Sequence, residues 1–287
     1  MKAPWYKTAF GPHYADIYGH RDRRDAQQAI AFLTRESLAP VPPGALALDL
    51  CCGEGRHSIE LLRVSSGNGL KPALRTDFRV KENRLKPALP TNRLKPALRT
   101  IGMDLSPDLL RNAAESAARE SMTLPLVRGD MRLLPFRDGT FHLVLNLFTS
   151  FGYFDDDEQN ESVFHEAARV LKRPGGYFVL DHINPPWLRQ NLQPDTERVT
   201  ARGTRVRETR WLDPDRRRVE KRMEFKADGR EHCLRESVRL YENDEVLAMA
   251  GRAGLSLVAT YGGFDGSALS EASPRAIHVF RTESGVG

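Results

Sequence analysis

Five short runs of mostly apolar residues, 45–50, 100–104, 124–136, 141–148 and 177–181, punctuate the first two-thirds of the chain. Between them, 56–63, 108–120 and 158–171 carry apolar positions at helical spacing. Strands that are apolar throughout and alternate with amphipathic helices predict a doubly wound, mostly parallel α/β sheet. Residues 1–40 read as mostly helical: Tyr14, Ile17 and Tyr18 fall at i, i+3 and i+4, and 26–33 form a second amphipathic run. Val41-Pro42-Pro43-Gly44 breaks the chain before the first strand. From about residue 197 the texture changes. The runs 198–212, 217–226 and 231–241 are charged and alternating, joined by Asp213-Pro214-Asp215 and Asp228-Gly229, and predict a small antiparallel meander with one wet face. A helix over 243–253 capped by Gly254, then strands at 255–260 and 277–281, bring the main sheet to seven strands. The expected organisation is a helical lid at 1–40, a core at 41–196, the meander at 197–241, and a C-terminal helix and strands at 242–287.

Charge changes this picture in one place. The chain carries a formal +5, yet residues 63–100 hold ten Lys/Arg against Asp77 and Glu82, which leaves the remainder at −3. The same segment repeats Leu-Lys-Pro-Ala-Leu with its lysines at 71, 86 and 95. Short proline-bearing copies at irregular spacing are not solenoid units, and their charge and scarcity of aromatics point to a disordered, solvated insertion over 64–99. A basic segment also suits a tether to nucleic acid, the alternative use of such a charge run.

Cys51 and Cys52 are adjacent, Cys233 is distant, and no metal-like Cys/His spacing occurs, so no metal is expected. No apolar run approaches the roughly 18–20 residues that span a bilayer, and the N-terminus lacks the apolar core of a signal peptide. A cytoplasmic protein without membrane contact is the expectation; oligomeric state is not legible.

The chemistry concentrates at strand ends. After the 45–50 strand comes Asp49-Leu-Cys-Cys-Gly-Glu-Gly55, and a helix follows. Glycines between a buried strand and a helix N-terminus make a nucleotide-sized pocket at the sheet's C-terminal edge. Asp104 ends the second strand, 55 residues beyond Asp49; without about 36 inserted residues the gap is near 20, the distance at which an acid meets ribose hydroxyls in nucleotide-binding βαβ units. Ser106 is placed as N-cap and Pro107 as the first residue of the next helix. Asp130 stands at the end of the third run. Gly53-x-Gly55-x-x-Ser58 also nearly matches a dinucleotide fingerprint, which keeps a nicotinamide-dependent reductase among the alternatives.

Taken together, these residues resemble the class I S-adenosylmethionine (SAM)-dependent methyltransferases, over nearly the whole chain except 63–100. The 49–55 stretch is similar to that family's acid-x-Gly-x-Gly-x-Gly motif, with Cys51 in place of the first glycine. Asp104 matches the ribose-binding acid and Gly129-Asp130-Met131 the adenine motif. Residues 146–153 match the active-site strand end, and 171–176 the turn before strand five. The Trp5-Tyr6 and Tyr14–Tyr18 regions, the meander and 261–266 look like a bacterial branch acting on small molecules. The resemblance implies a seven-stranded Rossmann-like methyltransferase fold with SAM as cofactor and S-adenosylhomocysteine as product. It implies cofactor contacts from Tyr14, Asp49, Cys51, Gly53, Gly55, Asp104, Leu105, Asp130, Met131, Leu147 and Phe148. The activity implied is in-line methyl transfer to O or N of a small molecule.

Methyl transfer needs little acid–base machinery, because a sulfonium is already a good leaving group and positioning supplies much of the rate. Where a proton must be removed, the candidates are Tyr153, Asp181 and His182. Tyr153 stands where the resembling sugar N-methyltransferases carry a histidine. Asn184 and Trp187 are expected in the same cleft. A degenerate cofactor-binding partner without turnover, and an RNA methyltransferase using the basic insertion, are the remaining alternatives.

Overall fold

The computed structural model describes residues 4–19, 23–36, 42, 44–65, 98–215 and 217–283. The insertion expected at 64–99 falls almost wholly on 66–97, outside the described residues. Of the N-terminal segment, Trp5–Lys7 is a 3₁₀ turn, and α1 (Tyr14–Ile17) and α2 (Arg23–Glu36) are helices. The main sheet contains β1 (Leu46–Leu50), β2 (Arg99–Asp104), β3 (Leu126–Arg128), β4 (Leu143–Asn146), β5 (Tyr177–Ile183), β10 (Leu255–Tyr261) and β11 (Arg275–Thr282). Their order is β10-β11-β5-β4-β1-β2-β3. The five strands from β5 to β3 run parallel; β11 alone is reversed, antiparallel to both β5 and β10. β1 sits between β2 and β4, with Leu48 opposite Ile101 on one side and Val144 on the other. This is the seven-stranded, mostly parallel architecture expected from the apolar runs.

Local chemistry sets the helix boundaries. Ser106 Oγ accepts from the Leu109 N–H at 3.3 Å, with Pro107 at N1, and opens α4 (Pro107–Arg119). Asp156 accepts from the Glu158 N–H at 2.7 Å and starts α5 (Asp157–Val170) one residue before the periodicity suggests. A capping box between Glu242 and Glu245 opens α7 (Asn243–Arg252). α3 (Arg56–Ser65) follows the glycine loop directly, and its Leu61 packs with Ile30, Phe32 and Leu33 of α2. α6 (Pro185–Asn191) is a helix the sequence reading did not include; Asn184 precedes it and ties the 270–273 turn by donating to the Ser270 and Ser273 carbonyls.

Two runs are broken differently from expectation. The third run, 124–136, yields only three strand residues. Pro125 and Pro135 withhold ladder donors, and Asp130 takes the Arg132 N–H with its side chain at 3.0 Å, which ends pairing. The charged run 198–212 is two strands, so the meander has four: β6 (Asp195–Val199), β7 (Arg205–Leu212), β8 (Arg218–Ala227) and β9 (Arg230–Arg239). The reversal is built by Thr200, whose hydroxyl accepts from the Arg202 and Thr204 amides at 3.3 and 3.2 Å, and by Gly203 at φ +85°. Arg205 and Arg207 point to solvent, while Arg210 is half-buried and paired with buried Glu208. One face of this sheet receives α1: Ile17 and Tyr18 pack on Val206, Met223 and Phe225.

The core beneath the site is aromatic. Phe164 meets Phe151 at 5.3 Å and Phe178 at 5.6 Å, ring to edge, and Phe178 stacks on Phe280 at 6.2 Å, all fully buried or nearly so. Truncation of Phe164 to alanine is expected to cost about 3–5 kcal/mol, read as a lower urea midpoint at unchanged denaturant slope.

Candidate functional site

The loop after β1 is held in an unusual backbone path. Cys51, Gly53 and Gly55 all have positive φ, at 60°, 55° and 75°. Cys51 therefore adopts the left-handed conformation for which the resembling motif uses glycine, at a cost of order 1 kcal/mol. The two glycines have different tasks. A Cβ on Gly53 would meet nothing within 4 Å, and this residue lines the cavity described below. A Cβ on Gly55 would lie 3.1 Å from the Ala113 Cβ and 3.2 Å from Leu124, so Gly55 lets the start of α3 approach α4 and does not line the cavity.

Two carboxylates secure this loop. Asp104 accepts from the Gly53 N–H through one oxygen and from the Ser106 N–H through the other, both at 2.9 Å. It faces the cavity, and burial raises its pKa against those backbone bonds. Asp49 is buried behind the loop, where the Ser58 hydroxyl donates to it at 2.6 Å. Burial pushes Asp49 up to about 6 despite that bond. Ser58, which only counted as a missing glycine in the sequence, is thus the partner of the motif's acid.

The third acid lies on the loop after β3. Asp130 accepts from the Arg132 amide at 3.0 Å, and from the Arg132 guanidinium through both oxygens, at 3.0 and 2.6 Å. Partial burial works against its ionisation, but the bonds from Arg132 outweigh it and hold the carboxyl below its ordinary value. Met131 is buried beside it with its sulfur 3.5 Å from that of Cys51.

At the end of β4, Phe148 and Thr149 also have positive φ, 56° and 64°, a conformation that costs bulky residues of order 1–3 kcal/mol. Asp181 clamps this turn. Its carboxylate accepts from the Phe148 N–H at 2.8 Å and from Arg275 at 2.6 Å, and its carbonyl accepts from the Thr149 N–H at 3.2 Å. Burial raises Asp181 against the opposing pull of Arg275 and Phe148. His182 points into the other side of the sheet, stacked 5.3 Å from His278, and burial followed by that neighbour drives its pKa to about 3. Neither Asp181 nor His182 lines the cavity, and neither do Asn184 and Trp187.

The strand ends open on a single concavity of about 990 Å³, counted out to its mouth. Cys51, Gly53, Asp104, Leu105, Asp130, Met131, Leu147 and Phe148 all line it, as do Tyr14 and Tyr153. Opposite the loop stands a wall of rings from the N-terminal segment: Phe10 lies 5.9 Å from Tyr153 in a stacked pair and 5.5 Å from Tyr14, and Tyr14 lies 4.5 Å from Tyr18. Among the lining residues missed in the sequence are Phe10 and, at the start of α3, Arg56 and His57. The Arg56 guanidinium lies 5.0 Å from the centre of the Phe148 ring, and the buried His57 ring 4.8 Å from it. Burial, then Arg56 and Arg275, push His57 down to about 3, and its Nε2 has no partner among the described residues. For Arg56 and His57, adjacency to Gly55 was the available signal. Among the described residues no group of three or more His, Cys, Asp or Glu is arranged to hold a metal ion, and no helix is long and apolar enough to cross a membrane.

Comparison with known proteins agrees with this geometry. The family described as a methyltransferase domain matches residues 88–176. A demethylmenaquinone methyltransferase of Bacillus licheniformis is 30% identical over 149 residues, 52% of this chain and 49% of that protein, so the chain spans about half of this curated relative's length. The structure of the CcbJ methyltransferase from Streptomyces caelestis superposes with a TM-score of 0.71 at 20% identity, covering 97% of this chain and 99% of that one. A SAM-dependent methyltransferase from Clostridium acetobutylicum gives 0.69 at 17% identity, covering 95% and 96%. The architecture is the class I methyltransferase fold.

The buried motif acid makes a prediction. A folded pKa raised from 3.8 to about 6 means the native state holds a proton that the unfolded chain releases. This contribution to stability is complete below about pH 3.8 and is lost as pH rises through 6, by about 3 kcal/mol in all. Asp49→Asn keeps an acceptor for Ser58 and removes the titration. Urea unfolding from pH 4.5 to 7 should show the wild type losing stability relative to the variant as pH rises; parallel profiles would refute the assignment.

Proposed function

We propose that this chain is a class I SAM-dependent methyltransferase that moves a methyl group to O or N of a small-molecule acceptor. The observation that carries the reading is the convergence of Gly53, Asp104 and Asp130 on one cavity whose opposite wall is aromatic. The residues fit SAM. The open side of Gly53 leaves room for the methionyl part against backbone, and each Asp104 oxygen, with one backbone bond, keeps a lone pair for a ribose hydroxyl. Asp130 suits the adenine amine, with Met131 and Leu105 beside the ring. Asp49 acts one layer back, fixing the loop through Ser58. The bound cofactor supplies an activated methyl on a sulfonium.

The chain's own residues do the rest. Leu147 and Phe148 place backbone beside the reacting methyl, and Asp181 holds them there through the Phe148 N–H, which makes it a positioning residue rather than a base. His182, buried and averse to protonation, is likewise not a base at the site. Tyr153 orients the acceptor. The N-terminal segment and the four-stranded sheet form a lid: Tyr14 and Tyr18 line the cavity, and Tyr18 is seated on Met223 of the sheet. Excluding water and holding the nucleophile in line are what such a cover contributes to rate. Free cysteines at 51, 52 and 233 support a cytoplasmic setting.

Calorimetric titration with SAM and S-adenosylhomocysteine tests the reading. The wild type is expected to bind with micromolar affinity. Asp104→Ala removes a charge-assisted acceptor and should weaken binding about 100-fold, with the far-ultraviolet circular dichroism unchanged. A folded wild type that binds neither ligand would sink the proposal.

A further inference from the structure

We propose that Arg132 determines the selectivity of the site for the adenine base of the cofactor, by pinning Asp130 in one orientation as an acceptor for the exocyclic amine. Arg132 is a positioning residue that acts through Asp130. This inference rests on the methyltransferase reading above, in which Asp130 meets the adenine amine, and deepens it.

The bonds around Asp130 are asymmetric. Asp130 lines the cavity with its side chain partly exposed, whereas Arg132 does not line it. One oxygen, Oδ1, accepts from the Arg132 backbone N–H and from its Nε, each at 3.0 Å. The other, Oδ2, accepts from Nη2 at 2.6 Å. A carboxylate oxygen has two in-plane lone pairs, so Arg132 fills Oδ1 and leaves Oδ2 one acceptor site toward a ligand. Three bonds from one residue, two of them from a planar fork, also stop the carboxylate from turning.

Arg132 is itself fixed from its far side. Its guanidinium lies 4.3 Å from the centre of the Phe154 ring and 5.9 Å from that of Tyr6, and the two rings meet edge to face at 5.3 Å. Nη1 donates to the Gln159 side chain on α5. Tyr6 belongs to the N-terminal segment, so the segment that covers the cavity also braces the residue that aims Asp130. The ribose-side acid is tied in the same way. Ser106 stands two residues beyond Asp104, as Arg132 does beyond Asp130; its N–H bonds Asp104 at 2.9 Å and its hydroxyl donates to the Phe10 carbonyl at 2.6 Å. Each acid is thus linked through its second neighbour to the same cover.

A pinned, ionised carboxylate separates an amine from an oxo group. Adenine offers an N–H donor from its exocyclic nitrogen. Hypoxanthine offers a carbonyl oxygen there and carries its proton on the neighbouring ring nitrogen. Against a fixed Oδ2 the oxo oxygen meets a negative charge with no hydrogen between them, and the site's acceptor is left unpaired. A carboxylate free to turn would follow the donor to the ring nitrogen; the bonds from Arg132 prevent it. They also keep the group ionised. Partial burial opposes the charge, and the side-chain and backbone bonds from Arg132, with Lys7 adding to them, outweigh it. A neutral carboxyl would donate to the oxo group, so loss of Arg132 blunts the preference in two ways.

The test is calorimetric titration of the full-length protein with S-adenosylhomocysteine and with S-inosylhomocysteine, which carries the oxo group in place of the amine. The wild type should prefer the adenosyl compound about 100-fold. Arg132→Gln should cut that preference to about tenfold or less, by weakening the adenosyl compound while the inosyl compound stays within about threefold of its wild-type affinity. Arg132→Lys keeps a cation against the two rings but cannot span both oxygens, so its preference should fall between the two; it reads the same ratio where the glutamine variant fails to fold. Equal weakening of both compounds, with the preference kept, would show a merely structural role and overturn the proposal, leaving the methyltransferase reading standing. A wild type that binds both compounds alike would overturn it together with the adenine assignment of Asp130. Failure of the wild type to bind S-adenosylhomocysteine would overturn the methyltransferase reading and this inference with it.

Discussion

The whole site depends on two buried carboxylates that tie down one loop. Asp49 reaches Ser58 behind it and Asp104 reaches the Gly53 amide in front of it, so residues 51–55 are gripped from both sides. Without these bonds, the three positive-φ residues at alternate positions 51, 53 and 55 would relax, and the floor of the cavity with them. The grip costs something: both carboxyls are buried enough that ionisation is opposed, and Asp49 is pushed to about 6. Stability at neutral pH is given up for a rigid backbone where a ligand must be met.

The same device recurs at the end of β4. Phe148 and Thr149 occupy the left-handed region, and Asp181 holds both through one carboxylate bond and one carbonyl bond. Strain is thus concentrated at the two adjacent strand ends, β1 and β4, that flank the place where transfer is proposed. It persists because the surrounding sheet is over-determined, with apolar side chains buried on both faces of β1, β4 and β5. On the proposed function, this arrangement supplies positioning rather than proton transfer.

The second sheet does not line the cavity but seats the segment that does. Its inner face receives Ile17 of α1 and Tyr18 just after it, and this brings Phe10, Tyr14 and Tyr18 over the strand ends as a continuous run of rings. The N-terminal segment and the central strands line the cavity, while Arg275 and the four-stranded sheet act from behind it, against Phe148 and Tyr18. Residues far apart in sequence thereby share one electrostatic environment, in which the guanidiniums flanking Phe148 help keep His57 neutral.

The chain's pattern of apolar runs and helical periods determined the seven-stranded sheet, because burial on both faces demands near-continuous apolar strands and that demand is local. Ser106 and Pro107 announced α4, and the spacing of Asp49, Gly53, Asp104 and Asp130 announced the pocket, since strand-end residues are placed by the sheet itself. Short-range competition escaped this reading. Thr200 captured two amides and split a charged run into two strands, and Asp130 ended β3 with its own side chain. Only the tertiary structure decided which strand-end residues reach the cavity. Gly55 faces α4, Asp49 faces Ser58, and Asp181 and His182 turn toward Arg275 and His278, whereas Arg56 and His57 come to the surface of the pocket. Sequence places a residue at the edge of a sheet; the neighbours packed around it, drawn from distant segments, determine which way its side chain turns and what charge it carries.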